Sequence, residues 1–72
     1  MDNFELQPTL HLQDRRRGRW ASCISRRDSL EAVQAQMAII DECRGRNWPQ
    51  RITDDVGTVL VQNEAARQLP HG

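Results

Sequence analysis

Apolar and polar residues alternate over Thr9-Leu10-His11-Leu12-Gln13, and a second extended stretch, Arg19-Trp20-Ala21-Ser22-Cys23-Ile24-Ser25, follows five residues later. A period of two marks a strand with one face on a core. Between them, Asp14-Arg15-Arg16-Arg17-Gly18 has Asp to open a turn and Gly to supply positive φ near its close. The pattern predicts a β-hairpin with an arginine-covered tip.

The period then changes. Asp28-Ser29-Leu30-Glu31 offers Asp28 as an N-cap with Glu three residues on, and the chain continues from Leu30 to Arg46 without a glycine until Gly45 or a proline until Pro49. At 100° per residue Leu30, Ala32, Val33, Met37, Ile39, Ile40 and Cys43 fall in one half of the helical wheel, while Glu31, Gln34, Asp41, Glu42 and Arg46 occupy the other. Gln36 and Arg44 interrupt the apolar half and place its edge near water or a partner. Gly45 stops the helix, with Arg44 in the last turn where the helix dipole favours a cation.

Beyond Trp48-Pro49, the stretches Gln50–Thr53 and Thr58–Gln62 flank Asp54-Asp55-Val56-Gly57, which has the Asp-first, Gly-fourth pattern of a type I turn. A second hairpin follows. One helix from Asp55 to Leu69 is the rival, but it would scatter Val56, Val59, Leu60 and Val61 around its axis and put Gly57 in its first turn. Asn63–Leu69 reads as a short helix capped by Asn63 and ended by Pro70. The expected fold is α+β, with a small antiparallel sheet of two hairpins packed on one amphipathic helix over about residues 29–45. Leu30, Val33, Met37 and Ile40 should meet Trp20, Ile24, Leu60 and Ile52 in one core. The expected organisation is an N-terminal tail over 1–8, one domain over 9–69 and a C-terminal tail over 70–72.

Composition narrows the function. A chain of 72 residues buries only about 60% of the surface its unfolded form exposes, which disfavours a self-sufficient multi-step enzyme. With 38% hydrophobic residues, one Phe, two Trp and no Tyr, core volume is scarce. Docking on a larger partner would relieve that shortage, as would a homodimer that uses the Val59-Leu60-Val61 run as a sheet edge or face for a second copy. Every cation other than histidine is Arg. Residues 1–27 hold six Arg against three acids, +3, and the remainder four Arg against seven, −3, so the net charge is zero. No run approaches the roughly 18 apolar residues that a membrane span needs, and the acidic start Met1–Leu6 does not resemble a secretory signal. The expected location is cytoplasmic, where Cys23 and Cys43 are expected as small buried hydrophobes rather than a disulfide.

No catalytic or cofactor constellation stands out. His11 and His71 are far apart in sequence, no two of His11, Cys23, Cys43 and His71 have the close spacing of a zinc half-site, and the four glycines are isolated. Asp54-Asp55 reads as a turn pair, its carboxylates bonding nearby backbone. The unusual feature is Arg15-Arg16-Arg17-Gly18-Arg19-Trp20 followed by Arg26-Arg27, six Arg without an acid in thirteen residues. Arg and Trp are enriched at binding hot spots, and guanidinium groups bond carboxylates or phosphates in a fork. Together with Trp48, these are the expected partner-binding residues.

The expected function is a small non-enzymatic regulatory protein that binds a larger protein with an acidic surface, as a phage-type modulator of a host enzyme does. A nucleic-acid binder using the same arginines on phosphates is the alternative, and a structural subunit of a larger assembly is the second. Neither cofactor nor metal is expected. If Arg16 and Arg17 form an exposed tip, reversing both to Glu should change stability by no more than about 0.5 kcal/mol.

Overall fold

The computed structural model describes residues 8–45 and 47–69. The expected tails, apart from Pro8, and Arg46 lie outside the described residues. The fold is α+β, with β1 (Thr9–Arg16), β2 (Arg19–Arg27), α1 (Leu30–Arg44), β3 (Gln50–Thr53), β4 (Val59–Gln62) and α2 (Glu64–Arg67). The strands form one antiparallel sheet in the order β2-β1-β3-β4, so the two hairpins meet through their first strands, β1 and β3.

The first turn is tighter than five residues. Only Arg17 (φ 52°) and Gly18 (φ 78°) form it, both left-handed, as a two-residue hairpin connection matched to strand twist requires. Asp14 therefore does not open the turn. It lies inside β1 opposite Ala21, 4% exposed, where Arg16 and the Trp48 indole give its carboxylate partners. The second turn is as expected: the Asp54 carboxylate accepts from the backbone N–H groups of Val56 and Thr58, the Gly57 N–H donates to the Asp54 carbonyl, and Gly57 has φ 90°.

One row of side chains crosses the sheet. Ile24, Leu12, Ile52 and Val61 are successive register partners on β2, β1, β3 and β4, and α1 lays Val33, Met37 and Ile40 against them with Leu10. This differs from the expected core at three positions. Leu30 and Leu60 are 36% and 43% exposed, and Trp20 is no part of the cluster. Val61 takes the place of Leu60, and Leu10 and Leu12 supply the central strand. The helix packs chiefly on the two central strands, β1 and β3, so its buried stripe narrows to Val33 and Met37 with Ile40 at its margin. Ile39 and Cys43 are exposed.

The caps also differ in one respect. Ser29, not Asp28, caps α1, its Oγ accepting from the Ala32 N–H at 3.2 Å. Asp28 instead accepts from the Ser29 N–H and pairs with Arg26. Asn63 caps α2 as expected.

The narrow core concentrates stability on few positions. Leu12→Ala, at a site with no exposure, should cost about 2–5 kcal/mol. Ile39→Ala should stay within about 0.5 kcal/mol. Urea unfolding followed by circular dichroism compares the two midpoints.

Candidate functional site: an arginine-clamped tryptophan on the open sheet face

Alternation along β1 sends Leu10, Leu12 and Asp14 toward the helix, and His11, Gln13 and Arg15 to the opposite face. Register then assembles a polar surface from all four strands. Arg15 faces Trp20, Gln13 faces Ser22 and Arg51, and Arg51 faces Gln62. The Arg51 Nε–H donates to Gln13 Oε1 at 2.7 Å, and Gln13 Nε2–H donates to Ser22 Oγ at 3.2 Å.

Trp20 is the centre of this surface. The Arg51 guanidinium lies 4.3 Å from its ring centroid and that of Arg15 lies 5.5 Å away. The quadrupole of the indole face attracts both cations, and the guanidinium N–H groups not already bonded remain as donors for an anion. Neither guanidinium has a carboxylate partner among the described residues. Burial first, and the Arg15 charge second, lower the Arg51 pKa from its ordinary value. Two like charges thus share one indole, a repulsion that an anionic ligand would relieve.

At the other end of the same face His11 links two strands and a turn. Asp55 Oδ1 stands 2.8 Å from Nε2, so Nε2–H donates to it, and Nδ1 and the Ser25 hydroxyl share a hydrogen bond at 2.7 Å. The Asp55 side chain is 67% exposed, and solvent screening weakens its hold on the imidazole. The arrangement acts as a cross-strand tether that pins the β3–β4 turn to β1 and β2. Asp54 alone serves the turn, which corrects the reading of Asp54-Asp55 as a turn pair.

The expected site residues do not form one cluster. Arg15 joins the Trp20 surface, and Arg27, exposed and opposite Thr9, lies on the same side. Arg16 is turned the other way, its Nε and Nη2 forking onto Asp14 at 2.9 and 3.2 Å. The Asp14 hydrogen bond and charge raise the Arg16 pKa. Arg17 and Arg19 are exposed at the turn, and Arg26 is taken up by Asp28. Trp48 is on the helix side, its indole N–H donating to Asp14 Oδ2 at 3.3 Å with Arg44 over its ring at 4.9 Å.

Arg51 is the residue that sequence reasoning missed. Its signal was its place beside Ile52: if Ile52 faces the core, Arg51 must face away from it.

The cysteines are free and exposed, contrary to the buried positions expected for them. Cys23 is the extra residue at a register shift between β1 and β2, and its Sγ contacts the Leu12 carbonyl at 3.2 Å. Partial burial and then the Asp14 charge push its thiol pKa up. Among the described residues, no three of His, Cys, Asp and Glu converge as metal ligands, and no helix is long and apolar enough to cross a membrane. Compared with protein-family models, curated proteins and solved structures, the chain matches none.

Two outcomes follow from this placement. Arg16→Glu should lower the urea midpoint clearly, because it sets a second carboxylate against buried Asp14, whereas Arg17→Glu should leave it unchanged. Both arginines are exposed as expected, but only Arg17 lies in the turn; Arg16 ends β1 with its guanidinium on Asp14. At pH 8, iodoacetamide should modify Cys43 ahead of Cys23, because the thiolate is the nucleophile and the raised pKa of Cys23 depletes it. Mass spectrometry of peptides gives the order.

Proposed function

We propose that this protein is a small non-enzymatic binding module of the cytoplasm that modulates a larger protein by docking an acidic segment on the open sheet face. The observation that carries the reading is the pair of guanidinium groups held on Trp20 without an acid among the described residues to neutralise them. Arg15 and Arg51 each present a fork that matches a carboxylate, at a surface where Gln13, Ser22 and Ser25 add neutral donors and acceptors. Arg27 extends the positive field along the same face. Such charge-assisted bonds to a partly desolvated site give orientation and specificity along with affinity.

A protein ligand fits this face better than nucleic acid does. Both arginines already occupy the indole, so a base has to displace a guanidinium in order to stack. The exposed Asp55 lies on the same face and repels a continuous phosphate backbone.

The test is capture of a partner by the immobilised full chain from nuclease-treated and untreated lysate. A stoichiometric protein retained after nuclease supports the reading, and loss of every partner after nuclease overturns it. Arg15→Glu combined with Arg51→Gln should then weaken the captured complex by about 2–5 kcal/mol. Arg17→Glu should change it little. Isothermal titration calorimetry with the purified partner reads both.

A further inference from the structure

The strand order leaves two sheet edges, and they are opposite in character. β2 is lined by Arg19, Arg26 and Arg27 and carries no acid over its nine residues. A twofold pairing of β2 with itself would bring arginines together. The other edge, β4, runs Val59-Leu60-Val61-Gln62 after Thr58 without a charge or a proline. Val59 is 38% and Leu60 43% exposed, and they line a shallow groove of about 330 Å³ with Val61, Gln62 and Arg67.

We infer that the β4 edge binds a second copy of this chain, through antiparallel β4–β4 pairing about a twofold axis. Self-pairing sets a strand against its own copy, and an uncharged strand of β-branched and aliphatic residues brings no like charges together in any register, whereas β2 in full overlap with its copy sets Arg19 against Arg27. The devices by which sheets protect an edge are charge, proline, bulge and cover. β4 itself has one of them, the bulge in which Leu60 is the extra residue at the shift between Ile52↔Val61 and Thr53↔Val59, while at its far end the Arg67 guanidinium donates to the Gln62 carbonyl at 3.2 Å. That shift exposes the Leu60 side chain instead of replacing it with a charge, so it adds apolar area to the contact. Main-chain hydrogen bonds supply the pairing, and Val59 and Leu60 supply the burial.

The geometry has a consequence for the whole assembly. An axis that pairs one strand antiparallel with its own copy stands perpendicular to the sheet, so both helical layers fall on one side and both Trp20 surfaces on the other. The dimer is then one eight-stranded sheet in the order 2-1-3-4-4-3-1-2 with two clamped tryptophans facing the same way. A four-residue ladder is a short contact, and the pairing should be concentration-dependent. The inference stands apart from what the Trp20 surface binds.

Sedimentation equilibrium of the full chain from micromolar to millimolar concentration should show mass rising from 8.3 kDa toward twice that value. Leu60→Lys, at an exposed position, should remain a monomer throughout while keeping the circular dichroism and urea midpoint of the parent. Hydrogen exchange of the parent at the two concentration extremes should show added protection in Val59–Gln62 and none in Arg19–Arg27. A parent that stays monomeric overturns the inference. So does a dimer that survives Leu60→Lys, or protection gained in β2 or α1 instead of β4.

Discussion

A single buried amide, Asn63, holds the two halves of this protein together. Its Oδ1 accepts the N–H groups of Gln50 and Ala66, and its Nδ2 donates to Asp41 Oδ1 and the Trp48 carbonyl. Those four bonds use the whole capacity of the group. One side chain therefore caps α2, pairs with the first residue of β3, fixes the loop leaving α1 and reaches back into α1. Gln50 completes the junction through Nε2 to the Met37 carbonyl and Asp41 Oδ1, at 0% exposure. The core has five buried apolar residues in its main cluster. A sheet with so little apolar grip on its helix depends on directional bonds in a low-dielectric setting to hold one arrangement. Among the described residues Gln50 Oε1 has no partner, a cost that the rest of the network offsets.

Asp14 does on the first hairpin what Asn63 does on the second. A carboxylate inside a strand is costly to bury unless its lone pairs are used. The Arg16 fork and the Trp48 indole use them. That pairing draws Arg16 and Trp48 to the helix side, and strand alternation sends Arg15 to the other. The arginine run that is contiguous in sequence is thus divided by the sheet into a neutralised structural part and an uncompensated part. The uncompensated part acquires Arg51 from a strand about 35 residues further on, and both cations meet over the Trp20 ring.

What the sequence determined by itself was set by local physics. Asp54 and Gly57 form a turn because an Asp carboxylate bonds the following backbone and Gly accepts positive φ. The helix over Leu30–Arg44 follows from its apolar period and a nearby cap, and Asn63 caps α2 because its amide reaches the backbone N–H three residues on. Those elements also carry the α+β class, since two hairpins and one amphipathic helix have few ways to cover an apolar face.

The tertiary structure decided which face each side chain occupies, and the reason is one extra residue. A strict period of two puts Trp20 and Ile24 on the same face of β2, and so places Trp20 in the core. Cys23 stands unpaired at the register shift between Leu12 and Gln13, and the inserted residue inverts the alternation beyond it. Trp20 turns outward and meets Arg15 and Arg51, while Ile24 remains inward against Leu12. A second shift, at Leu60, exchanges Leu60 for Val61 in the core in the same way. Nothing in the local pattern marks either position, because a bulge is defined by the strand opposite it. Composition supplied the arginines and the tryptophan, but only the pairing of β1 with both β2 and β3 could bring them to one surface.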